Sequence, residues 1–243
     1  MKRIIIIGAT SGIGLEVARC YLKTGWQVGV AGRREEELEK LRQSAPGQVC
    51  TQRIDVTRED APALLEQLIM KNRRHGCVPA QFGHRTNKIF SLSPRYRITD
   101  RSHQCFGIHT DGQCRLSLFR TARQRTYSGD QFHSRHQGTG IRPAYSATKR
   151  FQNTYLDALD QLAHMNKLHI SFTDIRPGFV ATPLLKDDKY PLLMYAPYVA
   201  SQIVRAISRR KRVAVIDRRY QMLVFFWKLI PGWLWVRLPV RNQ

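Results

Sequence analysis

At 243 residues the chain is long enough for one α/β domain with a full core and a tight fit for two, so residues 1–243 are expected to form a single domain. Five cysteines at irregular spacings with no Cys-x-x-Cys pair argue against a disulfide framework, and with no signal-like opening they point to a reducing, cytoplasmic setting. A net charge of +22 would suit nucleic acid or an anionic membrane, but it is unevenly spread: residues 72–143 hold 13 Lys and Arg against 3 Asp and no Glu, and six of the eight His.

From the N-terminus, Arg3 to Ile7 reads as a buried strand, followed by a Gly-rich turn and an amphipathic helix from Ile13 to Leu22. A second strand (Gln27 to Ala31) precedes a charged helix (Glu35 to Arg42), and a third (Val49 to Ile54) precedes another (Glu59 to Met70). Strands alternating with helices predict a Rossmann-type, doubly wound parallel sheet. Between Asn72 and Pro143 no helical or alternating apolar face is evident, so about 72–142 is expected to be irregular. Regularity returns with a helix (Ala144 to His164), a strand (His169 to Ile175), a Pro-Gly turn, a helix (Tyr198 to Ser208) and a short strand (Val213 to Ile216).

Three motifs carry chemistry. Gly8, Ala9, Thr10, Ser11, Gly12, Ile13 and Gly14 join the first strand to the first helix, where glycines let the backbone approach a pyrophosphate and the helix N-terminus offers unpaired N–H groups. The second strand ends in Arg33 and Arg34, where an NAD site would carry a carboxylate for the ribose hydroxyl; arginines suit a 2′-phosphate, so NADP(H) is preferred over NAD(H), unless they merely begin a charged helix face. Asp55 and Val56 end the third strand, at the ligand-binding edge of such a sheet, with helix capping as the alternative for the Asp. Tyr145 and Lys149 lie four residues apart, on one helical face. A free phenol titrates near pH ~10 and a neighbouring ammonium favours the phenolate, so the pair suits acid/base work, though such spacing is also common on solvated helices.

Taken together, residues 1–71 and 144 to about 185 resemble the short-chain dehydrogenase/reductase family. The resemblance implies an oxidoreductase moving a hydride between NADP(H) and a carbonyl or hydroxyl substrate. Tyr145 would exchange the proton at the substrate oxygen, Lys149 would hold the nicotinamide ribose and lower the Tyr145 pKa, and the turn Pro177, Gly178, Phe179, Val180, Ala181, Thr182 would flank the nicotinamide, with Val180 and Thr182 at its carboxamide.

The family also carries a Ser thirteen residues before the Tyr, an Asn on the preceding helix and an Asn-Ala-Gly-like turn after the fourth strand. Phe132 stands at the serine position and cannot donate a hydrogen bond. The genetic code accounts for this. Gln131 to Arg135 can be written CAG TTC CAT AGC CGG, and one base later AGT TCC ATA GCC GG encodes Ser-Ser-Ile-Ala-Gly, with the second Ser at position 132. The same shift over Arg125 to Arg142 permits Gly-His-Ile-Ala-Val-Ile-Ser-Ser-Ile-Ala-Gly-Thr-Lys-Gly-Leu-Gly-Ser-Ala, a fifth strand with its serine. Over Arg74 to Arg85 it permits Gly-Met-Asp-Val-Tyr-Leu-His-Ser-Ser-Gly-Ile-Gly, a fourth strand and turn, and it places an Asn at Gln104. Only the middle base of each shifted codon is free, so residues of about 72–142 read as an out-of-frame translation, opened by an extra base near Lys71 and closed by a lost one near Arg142. The alternative function follows: a non-catalytic nucleotide-binding or inactive product.

No metal site is expected, since His75, His84, His103, His109, His133 and His136 with Cys77, Cys105 and Cys114 lack zinc-ligand spacing. Nor is nucleic acid an expected partner, because the basic middle segment is explained by the frame. Residues 213–243 form a basic and aromatic extension in which Lys228 and Pro231 interrupt the apolar run Met222 to Trp235. It is too broken to span a bilayer and suits peripheral contact with a membrane face, with a substrate lid or a homo-oligomer face as alternatives. A hydrophobic substrate follows only from membrane contact.

Overall fold

The computed structural model describes residues 2–73, 78–81, 125–130, 143–167, 170–183 and 192–238. Strand β1 (Arg3–Ile7) leads into α1 (Gly12–Lys23), β2 (Gln27–Gly32) into α2 (Glu35–Ser44), and β3 (Val49–Arg53) into α3 (Ala61–Arg73). Two short strands follow, β4 (Val78–Gln81) and β5 (Arg125–Asp130), then α4 (Pro143–Met165) and β6 (Ile170–Arg176). The chain continues through the two-residue strands β7 (Val180–Ala181) and β8 (Met194–Tyr195), then α5 (Ala196–Ser208), β9 (Val213–Val215), α6 (Arg218–Leu229) and α7 (Gly232–Trp235).

The main strands pair in parallel in the orders β3-β2-β1-β4 and β5-β6-β9, and β5 runs beside β4. Period-two alternation sends successive isoleucines of β1 to opposite faces. Ile4 and Ile6 join Val28, Val30, Val17 and Ile203 in a core beneath α1, α2 and α5, while Ile5 and Ile7 join Ala31, Leu65 and Leu68 under α3. On β6, Ile175 belongs to the first of these faces, and Ile170 and Phe172 pack against Leu156, Leu159 and Ala163 of α4. Both faces are therefore covered, which is why Ile4 to Ile7 of β1 and Val28 to Gly32 of β2 are apolar without alternation.

The observed ends lie within about three residues of those predicted. The third strand stops at Arg53, which leaves Asp55 and Val56 in the turn that follows. Strands β7 and β8 are too short to leave a pattern. At the C-terminus the apolar run is divided into α6 and α7 at Pro231, whose ring fixes φ at −65° and which has no N–H to continue a helix. The other departure is in the centre, where β4 and β5 take strand positions although the residues there show no strand pattern.

Candidate cofactor and catalytic site

The site begins where β1 runs into α1. Gly8 and Ala9 donate their backbone N–H groups to the Ala31 carbonyl, at 2.8 and 3.1 Å, so the loop folds over the end of β2. Gly12 takes a positive φ of 57°, and a Cβ on Gly14 would lie 2.3 Å from the Gly8 carbonyl oxygen, so only glycine fits the crossing. Ser11, at the N-cap of α1, makes no side-chain capping bond, and no acidic residue lies in the first turn. An uncapped, carboxylate-free helix start fits the pyrophosphate of a dinucleotide, which is the electrostatic role of such a terminus.

At the end of β2 the two arginines diverge. Arg34 donates from Nη2 to the Thr10 carbonyl at 2.9 Å, tying the strand end to the glycine loop, while Arg33 is exposed. Asp55 accepts from the Thr57 N–H and hydroxyl at 3.0 and 2.7 Å, closing the turn before α3. Burial pushes the Asp55 carboxyl up, but the two Thr57 hydrogen bonds, with Arg33 and Arg58 near it, leave it below the usual carboxylate range. It is ionised and structurally engaged, which favours its turn-forming role; Val56 is half-buried beside it.

The Pro-Gly turn meets the same loop from the other side. A Cβ on Gly12 would stand 3.2 Å from Thr182 Cγ2, so Thr182 lies against the glycine loop although 170 residues of sequence separate them. Val180 is buried and pairs with Met194 across β7 and β8. Pro177 and Gly178 follow the buried Arg176, whose guanidinium is paired with Asp174.

Tyr220 of α6 is a residue that motif reading missed. Its hydroxyl accepts the Phe179 N–H at 3.1 Å, and a Cβ on Gly178 would lie 2.1 Å from its ring, so the C-terminal helix locks the turn. Burial raises the Tyr220 phenol, which stays neutral. A lone Tyr after a basic stretch has no local signature, so only tertiary packing identifies it.

Tyr145 and Lys149 lie in the first two turns of α4. Lys149 is half-buried and its ammonium donates to Gln152 Oε1 at 3.3 Å; the Tyr145 side chain lies outside the described residues. So do Phe132, Gln104 and the His and Cys positions of the middle segment. Among the described residues no three His, Cys, Asp or Glu side chains cluster as a metal site would require.

The family model for short chain dehydrogenases matches residues 2–75. Over these residues the chain is similar to the short-chain dehydrogenase/reductase family. It is 27% identical to the dehydrogenase/reductase SDR family member 7B of Bos taurus, over 94% of this chain and 78% of that one. It is 25% identical to an uncharacterized oxidoreductase of Mycobacterium tuberculosis, over 97% and 96% of the two chains. An NADP-dependent 3-hydroxy acid dehydrogenase of Salmonella typhi is 24% identical over 73% of this chain and 72% of its own. The likeness to these relatives thus reaches along most of the chain, while the family model ends at residue 75.

Proposed function

We propose that this chain is a short-chain dehydrogenase/reductase that uses NADP(H) in preference to NAD(H) on a carbonyl or hydroxyl substrate, with Tyr145 as the acid/base group and Lys149 as its partner. The observation that carries it is the convergence of the glycine loop, the Arg33 and Arg34 strand end and the Thr182 turn at one edge of the sheet. A bound nicotinamide supplies or accepts the hydride at the substrate carbon. The chain supplies the rest: Gly8, Thr10, Ser11, Gly12, Ile13 and Gly14 seat the diphosphate, Arg33 faces the 2′-phosphate, and Pro177, Gly178, Val180 and Thr182 flank the ring. Tyr145 sits in the first turn of α4, where the helix dipole and the Lys149 charge both favour phenolate, easing proton transfer to or from the substrate oxygen. The 3-hydroxy acid dehydrogenase among its relatives is NADP-dependent, which supports the cofactor assignment.

A second reading has its own observation. β5 begins at Arg125 and runs to Asp130, the positions at which the shifted frame encodes Gly-His-Ile-Ala-Val-Ile, and the catalytic serine of that frame falls two residues later, where Phe132 stands. On this reading the chain as written binds nucleotide without turning over. Fluorescence titration with NADPH and a carbonyl-reduction assay, run on the written chain and on one recoded to the shifted frame over 72–142, separate the two. Binding in both with turnover only in the recoded chain establishes the second reading; equal turnover in both removes it. Resequencing the locus then decides whether the two base changes lie in the gene.

A further inference from the structure

We propose that α6 and α7 form a docking face for an anionic lipid surface, on which the protein lies without crossing. This stands independently of the oxidoreductase reading. Helix α6 is apolar on two sides. One side packs inward through Tyr220 and Val224, with Leu223 against the main core, and Trp235 of α7 is buried against Trp227 with ring centroids 5.7 Å apart. The other side faces outward. Met222, Phe225, Phe226 and Leu229 of α6, together with Trp233 of α7, are each 58–65% exposed. The four positions on α6 recur at three- and four-residue intervals and make one stripe on adjacent turns, and a row of large apolar side chains in water marks an interaction surface rather than ordinary scatter.

The charge around this stripe selects what covers it. Residues 209–243 carry nine Lys and Arg against Asp217 alone. Arg209 and Lys211 are exposed before α6 and Arg218 at its first position, and the Arg237 guanidinium lies over the Trp233 ring at 5.7 Å from its centroid. A second copy docked through the same face would set this positive field against itself, as an isologous interface must. An anionic bilayer presents the opposite sign at its surface and an apolar phase beneath it, matching the cations and the aromatic stripe in turn. Among the described residues no helix is long and apolar enough to cross a membrane, so the helices lie on the surface. Through Tyr220 the inward side of α6 holds the Pro177–Gly178 turn, so the lipid-facing helix is also a support of the site.

The test is co-sedimentation of the full chain with vesicles of phosphatidylcholine alone and of phosphatidylcholine with phosphatidylglycerol. Binding is expected only to the anionic vesicles and should fall as salt rises. Phe225→Glu and Phe226→Glu should each lower partitioning about tenfold through lost burial alone, and Arg209→Ser about fivefold. Circular dichroism and melting of each variant show that it keeps the parent's fold. Quenching of tryptophan emission by brominated lipid in the unsubstituted chain reads the same contact without any substitution. Absence of both sedimentation and quenching with anionic vesicles overturns the proposal. So does a dimer, seen by light scattering, that Phe225→Glu dissociates while vesicles bind neither form; that result gives the face to a second copy.

Discussion

Strands β1 and β5 both lie in parallel ladders of the same α/β layer, yet their sequences obey different rules. β1 contributes four consecutive isoleucines, all buried, as a strand covered on both faces requires. β5 reads Arg-Thr-Tyr-Ser-Gly-Asp beside the buried β6. Likewise β4 sets Pro79, which has no backbone N–H, in the ladder opposite Ile5, where central strands exclude proline. Among the described residues, Thr173 of β6, opposite Ser128 in the ladder, and Asn153 of α4 are buried with side-chain polar atoms that have no hydrogen-bond partner. Buried polar groups normally find partners. The comparison teaches that flanking elements can specify a backbone path that the residues on it do not support; the shifted frame would put Gly-His-Ile-Ala-Val-Ile on β5 and a leucine at position 79 of β4.

The largest effect expected comes from recoding residues 72–142. With the serine returned at 132 and β5 apolar, carbonyl reduction with NADPH should rise by about 10²–10⁴ over the written chain, the range that one positioned proton-transfer system contributes. Within the recoded chain, Tyr145→Phe should remove a similar factor from kcat. Steady-state kinetics on the three proteins checks both. Comparable rates in all three would mean that the two strands differ in composition but not in consequence.

Substitutions in β1 and in β4, the other poorly patterned strand, come next. Ile6→Ala should cost about 2–5 kcal/mol in chemical denaturation, because Ile6 is fully buried. Pro79→Leu, the residue of the shifted frame, should instead stabilise the written chain by about 1 kcal/mol, since it returns a backbone donor to the ladder. Loss at one strand and gain at the other is the outcome that separates them.

The first three βα units were legible because the first two strands are local apolar runs and charged or amphipathic helices alternate with all three. The Gly8–Gly14 loop was legible from its place after such a run, and its geometry bears out the tight crossing at Gly14. Two kinds of feature were not. β4 and β5 leave no pattern in the written residues, although the shifted frame would put an apolar strand at β5. Contacts made by residues far apart in sequence also escaped: Thr182 against Gly12, Tyr220 on the Pro177–Gly178 turn, and the Asp174–Arg176 pair inside β6. Spacing along a chain identifies what shares a helix face or a loop, and these contacts depend on the sheet having formed.

Cofactor discrimination is a smaller effect that belongs wholly to the well-patterned half. Arg33→Ala should weaken NADPH binding about tenfold and leave NADH unchanged, the scale of a lost charge-assisted contact. Arg34→Ala should weaken both, because Arg34 holds the Thr10 carbonyl and its removal loosens the loop. Fluorescence titration with each cofactor distinguishes a phosphate contact from a scaffold contact. If Arg33→Ala weakens both cofactors equally, the strand end is scaffold alone.

The smallest expected effect tests whether the C-terminal helix folds with the patterned half. Asp217 caps α6 at a positive φ of 75°, accepting the Arg219 N–H at 3.0 Å and its guanidinium at 2.6 and 2.9 Å. The Arg219 hydrogen bond, against the opposing pull of burial, holds its carboxyl below the usual carboxylate range. A depressed folded-state pKa contributes stability that is fully present above the unfolded value, about 3.9, and is lost as pH falls through the folded one. Asp217→Ala should therefore cost about 1 kcal/mol at neutral pH, as the loss of an N-cap does, and the difference from the parent should shrink on acidification. Asp217→Asn keeps an accepting oxygen and should retain part of the cap while losing the pH dependence. Melting curves of both variants should show the same loss in the written and recoded chains, because α6 packs on Gly178 and the core beneath α1. A loss seen only after recoding would place α6 under the control of the central strands.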